Sequence, residues 1–341
     1  MSGARSRCCR RCLLPEAVPG LVLDSTDLCH ICQATPPAGE LARLREGIRL
    51  EMEAVLETHR GARPYECVVA FSGGKDSSYT LKLLVEHYKL RCLAVTIDNS
   101  FLSNGTLANC RAVCGGLGVD HVLFTPNRGF IRQMYGTSAV SEEVHAPSAI
   151  QRASSICNSC INLINTHILQ KALELGAPLV AGGYLAGQLP KDASLMTLRP
   201  GVLVKVRTPM VNRFVKFFGE EARPYFELPR AQAEPGREIV VINPMLGLSV
   251  REEEIITSLQ PLGWKRPHDT GVTSTNCRLN DLGVYIHSRR HGFHPYAFEI
   301  ADQLRHGLVT LEEAAAKLDA IPSSESVAWL AQGIGVKLDA F

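Results

Sequence analysis

The sequence predicts an α/β protein built on a doubly wound parallel sheet. Three observations lead there. From residue 65 onward, short Val-rich apolar runs alternate with amphipathic segments. The 341 residues, 45% of them hydrophobic, are enough to bury a sizeable core. Two of the apolar runs end in glycine pairs, "FSGGKD" and "VAGGY", and such sheets take ligands at the carboxyl ends of their strands.

Taken in order, residues 1–36 are cysteine-dense and form a zinc-ribbon-like segment. Residues 37–64 read as a helical linker, with Leu, Ile, Met and Val at helical spacing over 39–60 and a break at "GARP". "YECVVAF" is a buried strand and "DSSYTLKLLVEHYK" an amphipathic helix. "LRCLAVTID", "LANCRAVCGGLG" and "DHVLFTP" continue as strand, helix and strand, and "CINLINTHILQKALELG" and "APLVAGG" as helix and strand. Residues 185–240, rich in Pro and Arg, give no placeable elements. "SVREEEIITSLQPLGW" reads as a helix with a serine cap and an acidic first turn. The α/β unit then covers 65–248, and 249–341 is a mainly helical region with caps at "VTLEEA" and "PSSESV".

The formal net charge of +2 argues neither for nor against a nucleic-acid partner. No run is long and apolar enough to span a bilayer, and no apolar signal core follows the basic start. The chain therefore reads as a soluble cytoplasmic protein, and its 12 cysteines point to metal or catalytic roles rather than disulfides.

"VVAFSGGKDSS", residues 68–78, joins a strand to a helix through two glycines. Helix N-terminal N–H groups lack intrahelical partners, and the helix dipole makes that end attractive to anions. Ser72, Ser77 and Ser78 add hydroxyl donors, Lys75 adds a positive charge, and Asp76 can hold Mg²⁺ or orient the loop. The spacing is neither a Walker A loop nor Gly-x-Gly-x-x-Gly. A tight turn capped by Ser72 would serve as well for "SGG" alone.

Two cysteine sets stand apart. Cys9-x2-Cys12 and Cys29-x2-Cys32 have the spacing of a closed tetrahedral Zn²⁺ site, with Cys8 able to replace Cys9. Cys157-x2-Cys160, at a helix start, fits a redox pair, half a zinc site or two small core residues. Cys277, in "STNCRLN", is isolated in the sequence. Cys67, Cys92, Cys110 and Cys114 read as core or surface residues, the last two one helical turn apart.

The full string Ser72-Gly73-Gly74-Lys75-Asp76-Ser77 resembles the PP-loop of the N-type ATP pyrophosphatases over roughly residues 65–185. The resemblance implies a five-stranded Rossmann-like core that cleaves ATP to AMP and pyrophosphate. It implies adenine at Ile97-Asp98-Asn99, with Asp98 otherwise a turn residue, and nucleotide approach by Gly182 and Gly183 in "AGGY". Pyrophosphate loss would activate a substrate carbonyl oxygen as its adenylate. "CRRCLLPEAVPGLVLDSTDLCHIC", "LAVTIDNSFLSNGTLANCRAVCGGLGVDHVLFTPN" and "FEIADQLRHGLVTLEEAAAKL" are similar to the N-acetyl sugar amidotransferase branch. There, ammonia from a glutaminase partner converts an acetamido to an acetamidino sugar. That branch implies Thr-Asn-Tyr where this chain has "TNC". Cys157, Cys160 and Cys277 instead follow the order seen in PP-loop tRNA thiolases, which implies a [4Fe-4S] cluster held at three corners with one iron open to sulfide. The reading leans to a sulfurtransferase, with Lys75, Asp76 and the three cysteines catalytic, supplied by a sulfur donor system. The amidotransferase is the alternative.

The acceptor is left open between tRNA and a small molecule. "VKVRTPMVNRFVKFF" and "HSRRHGFH" can bind RNA, bind a nucleotide-sugar diphosphate or form solvated faces. Asp281, His287, Arg290 and His294 can supply acid–base help. A homodimer fits the family.

Overall fold

A computed structural model of the chain describes residues 7–62, 64–189, 191–229 and 237–341. The first six residues of the basic start, Arg63 in the "GARP" break, Pro190 and residues 230–236 lie outside the described residues.

A six-stranded sheet has the order β3-β2-β1-β4-β6-β5. Its strands are β1 (Cys67–Ala70), β2 (Cys92–Ile97), β3 (Asp120–Phe124), β4 (Leu179–Ala181), β5 (Leu195–Leu198) and β6 (Ile239–Ile242). Five run parallel, and β5 closes one edge antiparallel to β6. The expected Rossmann-like α/β class is therefore the observed one.

Central strands covered on both faces must be apolar throughout. In β2 all six residues are buried, whereas edge strand β3 exposes Asp120 and Leu123. Alternation along β1 sends Cys67 and Val69 to one face and Val68 to the other.

On the Cys67 face pack α1 (Ala38–Thr58), α2 (Lys75–Lys82), α3 (Asn104–Leu117) and α7 (Glu252–Leu259). On the Val68 face pack α4 (Arg128–Val140), α5 (Ser155–Leu175), α6 (Pro200–Phe218), α8 (Asn280–His291) and α11 (Ser324–Ile334). Residues 37–64 were expected as a helical linker, but α1 buries Leu41, Met52 and Leu56, the last two against the sheet. Cys67, Cys92, Cys110 and Cys114 are all buried in this same layer.

The unplaceable stretch 185–240 holds β5, α6 and β6. Helix α6 carries Pro209 inside it, which masks the helical signal. Tertiary burial of Phe214 and Phe218 with Phe226 compensates, each contributing about 2–3 kcal/mol.

The cap of α7 is Arg251, not the expected serine. The Arg251 N–H donates to Glu254 at 2.7 Å, and the acidic first turn Glu252–Glu254 is present. Thr310 caps α10 (Leu311–Leu318) and Ser323 caps α11, as the sequence predicts. Among the described residues no helix is long and apolar enough to cross a membrane.

Candidate functional site: the cavity at the switch point

The chain winds from β1 through β2 to β3 on one side of β1, and through β4 to β6 on the other. The loops after β1 and β4 thus diverge from a common crevice, where such sheets bind ligands. A cavity of about 340 Å³ lies there.

Its floor is the expected phosphate loop. Gly74 caps α2, and Ser78 N–H makes the first ladder bond, to Gly74 O at 3.0 Å. The N–H groups of Asp76 and Ser77 in the first turn thus have no intrahelical partner. Ser72 N–H donates to Ser77 Oγ at 3.1 Å, which folds the loop back on itself. Gly73 takes φ +73°, and a Cβ there would stand 2.6 Å from Cys110 Sγ and 2.8 Å from Thr106 O. Only glycine fits, but Gly73 faces α3 rather than the cavity, and its carbonyl accepts from Trp264 Nε1 at 3.0 Å. From β4, Gly183 comes so close to α2 that a Cβ would meet Ser77 N at 2.9 Å.

Ser72, Gly74, Lys75, Asp76, Ser77, Ile97, Gly182 and Gly183 line the cavity. Asp98 does not. Its carboxylate accepts from Ser100 N–H at 2.9 Å, the bond of a turn residue, and Asn99 faces the cavity instead.

Charge is concentrated around Lys75. Its ammonium donates to both Asp76 carboxylate oxygens at 2.8 Å and stands 3.8 Å from Glu252. Burial works to lower the Lys75 pKa, but Asp76 and Glu252 outweigh it and leave the pKa raised. Burial would raise the Glu252 pKa, yet Lys75, Lys317 and Arg266 hold it down to about 2. Lys317 donates to Glu252 at 2.8 Å, and Arg266 pairs with its other oxygen. Lys75, Lys317 and Arg266 thus share one wall with Asp76 and Glu252, charges that an entering anion could re-pair. Glu299, half-buried and raised in pKa mainly by desolvation, accepts from Gln188 and Gln303, both at 3.0 Å.

The opposite wall gathers three thiols. Ser154 caps α5 by accepting from Cys157 N–H at 3.2 Å, which sets Cys157 and Cys160 on the first two turns. Cys277 arrives on the loop 270–279. That loop is fixed by a backbone bridge between Leu102 and Cys277 and by Thr275, whose Oγ1 accepts from Lys75 N–H at 3.1 Å. Asn99 Nδ2 reaches Cys277 Sγ at 3.3 Å and Cys160 Sγ at 3.6 Å. Tyr135, Tyr184, Asn280 and Tyr296 complete the polar lining.

A helix start lowers a thiol pKa, but burial wins here. It raises Cys157 to about 11, raises Cys160, and takes Cys277 to about 12. Burial thus opposes ionisation of all three thiols, and a bound cation would favour it.

Four expected residues fall elsewhere. Asp281, His287, Arg290 and His294 do not line the cavity. Asp281 accepts from Ser326, Arg290 bonds Val140 O, and His287 and His294 are buried behind the thiol wall. The basic stretches 204–218 and 287–294 do not line it either. The former is α6, whose half-buried Arg207 donates to Thr166. Glu252, Glu299 and Lys317 had no motif to announce them, whereas Asn99 falls in the Ile97-Asp98-Asn99 segment and Thr275 in the "TNC" context that the sequence singled out.

A second, separate centre lies at the N-terminus. Cys9, Cys12, Cys29 and Cys32 bring their sulfurs within 4.8 Å of one another, using Cys9 rather than Cys8. Cys9 to Cys32 is 3.8 Å and Cys12 to Cys29 is 3.7 Å. Those are the edges of a tetrahedron with metal–sulfur bonds of about 2.3 Å. Cys29 N–H donates to Cys9 Sγ and Cys32 N–H to Cys29 Sγ, both at 3.3 Å. Arg305, buried on α9 (Ala297–Arg305), faces Cys12 and Cys32 and balances their charge. The donors present fit a structural Zn²⁺.

No family model matches the chain. An uncharacterized protein of Methanocaldococcus jannaschii is 27% identical over 275 residues, covering 80% of each chain. Among solved structures, the U34-tRNA thiolase NcsA of Methanococcus maripaludis, with its [4Fe-4S] cluster, matches at TM-score 0.36 and 16% identity. That match covers 85% of this chain and 80% of that one. The NMN synthetase of Francisella tularensis matches at 0.39 and 14%, over 77% and 93%. The NH3-dependent NAD synthetase of Campylobacter jejuni matches at 0.35 and 12%, over 85% and 93%. At TM-scores this low, none of the three bears on the reaction.

Proposed function

We propose that the chain is a PP-loop ATP pyrophosphatase that adenylates a substrate carbonyl oxygen and then replaces that oxygen with sulfur. One observation carries the reading. Three thiols from two distant segments share a single cavity with the Ser72–Ser77 loop and its lysine.

The loop N–H groups and the hydroxyls of Ser72 and Ser77 would hold the pyrophosphate end of ATP. Lys75, freed from Asp76 by the incoming phosphates, would neutralise charge on the leaving pyrophosphate. Asp76 would then turn to Mg²⁺. The apolar lining at Val95 and Ile97 would take the adenine. Adenylation serves the second half-reaction, because oxide is a very poor leaving group and AMP a good one.

Cys157, Cys160 and Cys277 fit a [4Fe-4S] cluster. They face one space, a bound cation would favour their ionisation, and they are not gathered within 4.8 Å as the N-terminal four are. Bound there, the cluster would supply an open iron that carries sulfide. Asn99 would steady the Cys160 and Cys277 sulfurs. The acceptor is a carbonyl-bearing molecule, tRNA or smaller, that enters beside the 270–279 loop.

Anaerobic purification of wild type and Cys277→Ala, with iron, sulfide and zinc analysis and a visible spectrum, tests this. Near four irons per chain, lost in the variant, is the expected result. Zinc alone after anaerobic reconstitution would sink the sulfur reading and move the nucleophile to ammonia, from a glutaminase partner.

A further inference from the structure

Behind the thiol wall, outside the cavity, a second set of metal-binding groups converges. Glu142 sits in the turn between α4 and α5, and His287 and His291 lie one helical turn apart on α8. One ligand atom from each lies within 4.8 Å of the other two. Histidines at i and i+4 on one helix face are a pattern that suits a shared cation.

His287 is the decisive residue. It is 1% exposed, and neither ring nitrogen has a hydrogen-bond partner. Buried polar groups are satisfied in native proteins, and two orphaned nitrogens on one ring call for a ligand. Phe293 packs edge-on against this ring at 5.0 Å and offers no acceptor. His291 Nε2 lies 2.9 Å from Glu142 Oε1. Arg290 Nη1 stands 3.7 Å from the same oxygen without a hydrogen bond. A void of about 10 Å³ separates Glu142, Ser155, His287 and Arg290.

We propose that Glu142, His287 and His291 form a binding site for a divalent transition-metal ion of the zinc–cobalt kind. Two imidazoles and one carboxylate select such ions over Mg²⁺ or Ca²⁺, which favour all-oxygen sets. On loading, the ion takes the place of the His291–Glu142 hydrogen bond, and Arg290 gives up its share of the carboxylate.

The site would join, from behind, the two segments that make up the thiol wall. Helix α8 follows directly from the loop that carries Cys277, and Glu142 precedes α5, which carries Cys157 and Cys160. The two helices already touch, since a side chain on Gly283 would meet Ser154 Oγ at 2.6 Å. This inference does not depend on the reaction proposed above.

Co²⁺ titration of chelator-treated, reduced protein tests it, on wild type, His291→Gln and Glu142→Gln. Both replaced side chains are about a quarter exposed, at 26% and 27%, so neither change empties the core. Cobalt on thiolates shows near-ultraviolet charge transfer, and cobalt on imidazole and carboxylate shows ligand-field bands alone. The expected result is one Co²⁺ per wild-type chain without thiolate charge transfer, missing from both variants while their thiolate bands are unchanged. If every bound Co²⁺ carries thiolate charge transfer, or if both variants bind as much as wild type, the site does not exist.

Discussion

The two cysteine sets differ in how they are finished. The N-terminal four are complete in themselves. Two of their sulfur pairs stand at tetrahedral-edge distances, the N–H groups of Cys29 and Cys32 bond the sulfurs of Cys9 and Cys29, and a buried arginine faces the set. The cavity three are incomplete. Burial opposes their ionisation, one asparagine reaches two of them, and they line a cavity that also holds Lys75, Lys317 and Arg266. A closed set builds structure, whereas an open set leaves room for chemistry.

The largest expected effect lies in the closed set. Cys12→Ala, or exhaustive chelation, should unfold the N-terminal segment and lower stability by several kcal/mol, because structural zinc sites bind with about 10–16 kcal/mol of apparent free energy. Zinc content and protease resistance of residues 7–36 would show it, and an unchanged digestion pattern would remove the contrast. Next comes Lys75→Ala, which should weaken ATP binding roughly 10- to 100-fold by deleting a charge-assisted contact. Calorimetry reads this directly, and unaltered affinity would take the phosphate site away from the loop.

A smaller effect concerns acid. The Glu252 pKa is depressed in the folded chain, to about 2 from 4.5. Its contribution is therefore fully present above about pH 5 and is lost as pH falls toward 2. Glu252→Gln should flatten that part of the acid-denaturation profile by roughly 1–2 kcal/mol. Parallel wild-type and variant profiles would mean that the three cations around it find other partners. The smallest effect is on stability in Cys277→Ala. A small side chain facing an open cavity should cost under about 1 kcal/mol in the metal-free chain. A loss as large as that of Cys12→Ala would place Cys277 in a structural set like the first.

Legibility followed the range of the interaction. The Ser72–Ser77 loop rests on contacts a few residues apart, and the N-terminal set on two Cys-x2-Cys pairs within one short segment, so spacing alone exposed them. The strands from β1 to β4 were legible for the same reason. Apolar runs bounded by turn residues, glycine pairs after β1 and β4 and Asp, Asn or Pro after β2 and β3, are a local signal. Residues 185–240 were not, because a proline inside α6 contradicts its local pattern and only burial of Phe214 and Phe218 overrides it.

By itself, the sequence determined the α/β class, the phosphate-type turn and the tetrahedral cysteine spacing. Each follows from steric and hydrogen-bonding rules that act within a turn or two of chain. Only the tertiary structure decided that Asp98 turns away while Asn99 faces the thiols. It alone set Cys277 beside a loop about 200 residues earlier in the chain, and grouped Glu252, Lys317 and Arg266 around Lys75. It also turned His287 away from the cavity toward Glu142. Coulomb and ligand-field interactions depend on distance in space, and sequence separation carries almost no information about that distance.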